Sequence, residues 1–278
     1  MQDRRIFVKL FNLMVAALIG LLVMAAGTAT AAPKAELLAR WQKSGAGAMV
    51  DYGAWNGFLK RYGSRKSDGR TIIAYGKLST ADKNAFYGMV NQLEAVNVDQ
   101  LTKQQQLAYW INLYNAATVE VVLRAYPVSS ILYIRDGLLP TGPWDRKVLT
   151  VKGQQLSLNN IEHGILRPIF KDPRVHFAIN CASFGCPNLA LEAYEPGTLN
   201  AQLDAGAHDY INDPRGFTLK GGNLVASRIF DWYGEDFGGP TGVLSFARRF
   251  ATPQTARALA NRATINSYDY NWSLNDAK

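Results

Sequence analysis

One stretch constrains this chain more than any other: LAYWINLYNAATVEVVLRAYP, Leu107 to Pro127. Leu107, Ala108, Trp110, Ile111, Leu113, Tyr114, Ala117, Val119, Val121 and Val122 leave a helix here with almost no polar side. A helix apolar all round has to be enclosed by the rest of its domain. Thr102, with Gln105 three residues on, gives it a capping-box start, and Pro127 ends it. Two asparagines interrupt the pattern on one face, Asn112 and Asn115. An unpartnered buried amide costs about 1–3 kcal/mol, so the pair must either brace nearby backbone or line a polar binding cluster.

Other segments supply the surroundings. Ser79 and Asp82 form a second cap signature, followed by Phe86, Met89, Val90 and Leu93 at helical spacing. Trp144 to Gly153 alternates as a strand ending in a turn. Ser157 caps a helix with Leu158, Ile161 and Ile165 as its stripe, and Pro168 predicts its end. Val175 to Cys181 has strand composition, and Gly216 to Ser227 reads as two short strands around Gly221-Gly222. Clustered helices and clustered strands, with no linker or repeat, predict one helix-rich α+β domain over residues 32–278 with a small, mostly antiparallel sheet.

Residues 1–31 read as a secretory signal peptide. Arg4, Arg5 and Lys9 precede the apolar run Leu10–Ala26, and Ala29-Thr30-Ala31 offers a cleavage site. The alternative is an uncleaved anchor, since the run is near the lower limit of a spanning helix. The expected location is periplasmic or secreted, with no membrane attachment after cleavage. Three cations and one anion leave with the segment, so the formal charge falls from +8 to +6. The densest basic run, Lys60 to Arg70, reads as a solvated loop, the alternative being a site for an anionic envelope polymer. No recognition motif points to nucleic acid.

The chemistry concentrates in HFAINCASFGCP, His176 to Pro187, which holds both cysteines of the chain. On a strand His176 and Cys181 would face opposite ways, so His163, on a separate helix, is the better base for a Cys181 nucleophile. Glu162 or Asn159 would orient its ring. Gly164, inside a helix, suggests close approach by another backbone. His208 reads as surface. Two cysteines in an exported protein otherwise suggest a Cys181–Cys186 disulfide, which would remove the thiolate that catalysis needs. Zinc fits poorly, because His163 and His176 are too widely spaced. In SRIFDWYGEDFGG, Asp231 and Glu235 are four apart, but acids among aromatics more often pin a segment to the core. No phosphate loop, dinucleotide fingerprint or hydrolase elbow is present, and no cofactor is implied.

Five motifs in order, QLAYWINLYNAATV, YPVSSI, LSLNNIEHGILR, DPRVHFAINCASFGCPNL and SRIFDWYGEDF, resemble the family called domain of unknown function 547, here in a bacterial exported form. The likeness covers about Gln106 to Phe237. It implies a single α+β domain and no assigned activity. Eukaryotic members with serine at the Cys186 position and cysteine at the Cys181 position imply that Cys181 is the residue to follow. Asn112, Asn115, Glu162, His163 and His176 fall on the same motifs. A distant papain-type likeness would require cysteine before histidine, whereas both histidines here come first. Two functions follow as expectations. One is a thiol-dependent hydrolase or acyl transferase acting on envelope amide, peptide or thioester bonds, with Cys181, His163 and Glu162 catalytic and Asn112, Asn115, His176 and Asn180 lining or bracing the site. The other is a non-catalytic envelope domain stapled by Cys181–Cys186.

Overall fold

Three long helices occupy the first half, and side-chain caps start the second and third. In the computed structural model, which describes residues 32–262 and 264–277, these are α1 (Gly53–Tyr62), α2 (Thr80–Glu94) and α3 (Lys103–Ala125). The signal peptide expected over residues 1–31 lies outside the described residues. Ser79 with Asp82, and Thr102 with Gln105, close reciprocal capping boxes. Every residue of α3 from Gln106 to Val119 is buried, so the helix that is apolar all round is the axis of the larger core. Trp41, Trp55, Phe86, Trp110 and Leu166 belong to the same cluster.

The strands are short. β1 (Gly63–Arg65) and β2 (Thr71–Ile73) pair antiparallel, as do β3 (Leu149–Val151) and β4 (Gln154–Leu156). The strand expected over Trp144–Gly153 is thus only its middle, turning through Lys152 and Gly153 at φ of 50° and 73°. β5 (Phe217–Lys220) and β6 (Asn223–Ser227) form the expected hairpin, with Gly221 and Gly222 at φ of 56° and 82°. Positive φ at both positions is what a tight hairpin turn requires. β7 (Ser267–Asp269) adds to β6 in parallel. The result is an α+β fold with small, mostly antiparallel sheets.

Two expectations fail for identifiable reasons. Pro168 does not stop its helix. After α4 (Leu158–Ile161) the chain widens into a π-helix, Glu162–Phe170, with Pro168 inside. Proline has no N–H to give the carbonyls of residues 163 and 164 behind it. Those carbonyls accept instead from the Glu36 and Leu38 N–H groups, at 2.9 Å each. Gly164 makes the approach possible, since a Cβ there would lie 2.6 Å from Leu38 Cγ. The strand expected at Val175–Cys181 is also absent. Asp172 caps a 3-10 turn over Pro173–Phe177, and a loop follows. A proline at the first position of a turn preset for helix outweighed β-branched and aromatic composition.

The second half completes the molecule with α5 (Leu199–Ile211), α6 (Ile229–Trp232), α7 (Gly239–Phe250) and α8 (Pro253–Leu259). They enclose a second core rich in phenylalanine: Phe177, Phe217, Phe230, Phe237 and Phe246. Pro33 to Lys278 forms one compact unit.

Candidate functional site

Buried amides hold the cysteine loop from below. Asn115 Nδ2 donates to Ala178 O at 2.9 Å, and its Oδ1 accepts from Asn180 N at 2.8 Å. Asn112 brackets Tyr194 in the same way, with contacts of 2.8 and 2.9 Å. Asn180 is itself committed, donating to Pro187 O and accepting from Ala182 N. All three asparagines therefore brace backbone. Ala182, between Asn180 and Ser183, sits at φ 57°. An alanine in the left-handed region stores strain that the surrounding bonds must hold.

That turn leaves the half-buried Cys181 thiol facing several donors. Its Sγ lies 2.7 Å from Cys186 Sγ, 3.0 Å from Tyr270 Oη and 3.2 Å from Ser183 Oγ. The two hydroxyls are 3.0 Å apart. Both cysteines are free thiols. Their separation exceeds the ~2.05 Å of a sulfur–sulfur bond, so the expected Cys181–Cys186 staple is not present here. Burial opposes ionisation of Cys181, yet the hydrogen bonds from Cys186, Ser183 and Tyr270 outweigh it and hold its pKa below the ordinary thiol value. Cys186 moves the other way, pushed well up by burial and by its bond to Cys181. It accepts from Cys181 N–H at 2.9 Å. The pair thus divides into an ionisable thiol and a protonated partner.

Neither imidazole shares a hydrogen bond with Cys181 among the described residues. The histidines belong to a second, buried cluster. His163 Nδ1 accepts from Arg167 Nη1 at 3.0 Å. Arg167 also makes a two-pronged bond to Asp236, at 2.6 and 3.0 Å, and donates to Pro33 O. His176 Nε2 donates to the same carboxylate at 2.7 Å, while its Nδ1 lies 4.0 Å from Glu162 Oε1. Tyr233 stacks on His176 with ring centroids 4.0 Å apart, and Tyr114 Oη donates to Glu162. Glu162 thus lies beside His176, and Arg167 engages the His163 ring. Burial works against the Asp236 charge, but His176 and Arg167 hold its pKa well below the usual carboxylate range.

Burial also lowers the pKa of His163. The unfolded chain therefore takes up a proton near pH ~6.5 that the folded protein resists. The sign is destabilising towards acid: this contribution is complete above ~6.5 and is lost as pH falls below it. A melting temperature that declines between about pH 7 and 5, and declines less in His163→Gln, is the expected result. Equal slopes for the two proteins would remove His163 as the cause.

Sequence reasoning missed Arg167, Asp236, Ser183 and Tyr270. Arg167 follows His163 at helical spacing, and Asp236 lay within the acid–aromatic stretch, where Asp231 and Glu235 prove exposed. His208 is on the surface. Nothing in sequence linked Tyr270 to a cysteine 89 residues earlier. No metal-binding group of three or more His, Cys, Asp or Glu occurs among the described residues. No helix among them is long and apolar enough to cross a membrane.

Residues 98–211 match the family model described as "Protein of unknown function, DUF547". The match takes in α3, the π-helix and the cysteine loop, and stops short of the Ser227–Phe237 segment that carries Asp236. No curated protein and no solved structure matches the chain, so the papain-type likeness gains no support.

Proposed function

We propose, on the premise that residues 98–211 carry a domain of that family, that this chain is an exported thiol-dependent enzyme with Cys181 as its nucleophile. Its class would be hydrolase or acyl transferase, acting on amide, peptide or thioester bonds of the cell envelope in the periplasm or outside the cell. The observation that supports this is the set of donors around the Cys181 sulfur. A thiolate held by hydrogen bonds attacks without a general base. His163 is then not needed at the sulfur. It and His176 would instead hold Arg167 and Asp236 in the separate buried charge cluster. The hydroxyls of Tyr270 and Ser183 are the groups able to turn towards a developing oxyanion or a leaving group.

A second function, a non-catalytic envelope domain, keeps one observation in its favour: both imidazoles are engaged away from Cys181. Alkylation separates the two. Iodoacetamide should modify Cys181 with an apparent pKa below the ordinary ~8.5. Tyr270→Phe removes one bond to the thiolate, worth about 1.5–3 kcal/mol, which raises that pKa by roughly one to two units. Alkylation at neutral pH would slow by about tenfold or more. If wild type and Tyr270→Phe titrate alike near ~8.5, Cys181 is an ordinary thiol and the non-catalytic function leads.

A further inference from the structure

Cys186 has no task in acyl transfer, yet it is the group nearest the reactive sulfur. It is almost fully enclosed, at 5% exposure, while Cys181 is half-buried. Its sulfur lies 2.7 Å from Cys181 Sγ, already within reach for the two to react. The loop between them is fixed in place: Phe184 N donates to Ser273 O, Gly185 N to Asn271 O and Cys186 N to Ser183 O. Arg215 holds the carbonyls of Phe184 and Cys186 from the other side, at 3.1 and 3.0 Å.

The same bonds leave little for an acyl substrate. With Cys181 N on Cys186 Sγ and Ala182 N on Asn180 Oδ1, the N–H groups of Cys181, Ala182, Phe184, Gly185 and Cys186 are all engaged. A tetrahedral oxyanion would have to rely on the two hydroxyls and on the Ser183 N–H, which is already turned to the Cys181 sulfur. Chemistry centred on sulfur has no such requirement. It needs an accessible thiolate, a proton donor for a departing oxygen, and a second thiol within reach. Cys181, Tyr270 and Cys186 meet those needs in that order.

We propose that Cys181 and Cys186 form a hydroperoxide-reducing dithiol, with Cys181 the attacked-and-oxidised sulfur and Cys186 the thiol that resolves it. This rests on the ionisable Cys181 of the proposed function but not on any acyl chemistry. The Cys181 thiolate attacks one oxygen of ROOH; an S–O bond forms and the O–O bond breaks. The electron pair leaves on RO⁻, which becomes ROH by taking up a proton equivalent to the one Cys181 lost on ionising, delivered through the Tyr270 hydroxyl. Cys186 sulfur then attacks Cys181 Sγ. An S–S bond forms, the S–O bond breaks, and hydroxide leaves as water with the proton of Cys186. Two thiols give up two electrons, and one hydroperoxide becomes alcohol and water. An external dithiol returns the pair to the reduced state.

The test uses the full chain, reduced and then freed of reductant, with hydrogen peroxide as the probe and intact mass as the readout. Wild type should lose both titratable thiols and two hydrogens without gaining oxygen, and dithiothreitol should restore both. With dithiothreitol present, peroxide consumption should run faster than with dithiothreitol alone and exceed one equivalent per chain, and Cys181→Ser should bring it back to that background. Cys186→Ser should stop at a sulfenic acid on Cys181 that dimedone traps. If peroxide leaves both thiols intact, or adds oxygen to wild type without joining them, while iodoacetamide still labels Cys181 rapidly, the dithiol proposal fails and the nucleophile stands. Slow labelling with an ordinary pKa would remove both. The wild-type mass needs no variant, so a poorly folding Cys186→Ser would not shield the proposal.

Discussion

Asn115→Ala should destabilise the protein by roughly 2–6 kcal/mol, because it leaves two backbone groups unpaired at about 1–3 kcal/mol each. The side chain is 2% exposed, and it satisfies Ala178 O and Asn180 N together. Water cannot readily replace it beside an enclosed helix. Denaturant titration measures the loss, and less than ~1 kcal/mol would mean the loop finds other partners. The loop freed is the one that positions Cys181, so alkylation should lose its low apparent pKa in the same variant. Asn112→Ala is the matched control. It unpairs Tyr194 at comparable cost but touches a different loop, and should leave the thiol's pH profile where it was.

Asp236→Asn should be comparably severe. Arg167, with 5% of its side chain exposed, would keep its charge and lose its carboxylate. Removing one member of a buried pair costs about 3–5 kcal/mol. Asp236 is 24% exposed, so solvent screening favours the lower end. The folded protein holds the Asp236 pKa below its unfolded value. Its contribution is therefore complete above about pH 3.9 and lost as pH falls through the depressed pKa. The gap in stability between wild type and Asp236→Asn should be flat at neutral pH and narrow only in strong acid. A gap that closed between pH ~7 and ~5 would count against Asp236 as its source.

What the sequence disclosed, and what it withheld, divides along the range of the interaction involved. Caps and periodicity are local, so Ser79, Thr102 and the enclosed α3 were readable, as was the Gly221-Gly222 hairpin. Burial also forced Asn112 and Asn115 to have partners, although not which ones. The π-helix was hidden because its cause is remote. Pro168 ends a helix only when the carbonyls it abandons stay orphaned, and Glu36 and Leu38 supply them from over a hundred residues away. The same holds at the site. Cys181, Cys186, His163, His176 and Glu162 all stood out by residue type. Which of them meet was decided by Asp236 and Tyr270, whose contacts are long-range, and by Arg167, which joins His163 to Asp236. The five motifs located the site's neighbourhood, and the partition into a thiol cluster and a charge cluster came from tertiary packing.

The strand-like segment after Tyr270 also sets a timetable. Asn271, Ser273 and Asn275 bind the backbone of Gly185, Phe184 and Ala182, and Tyr270 itself reaches Cys181 across 89 residues. Chains are made from the N-terminus, and early parts can begin folding before later ones exist. Leu274 packs into the core around α3 and Asn275 bonds Ile73 and Tyr75, so this segment completes both that core and the surroundings of the thiol. A nascent chain therefore lacks the Tyr270 hydroxyl and the backbone partners of the cysteine loop until residues 270–275 have been added and have docked. The thiol's hydrogen-bonded setting thus depends on a segment made some ninety residues after the cysteine itself.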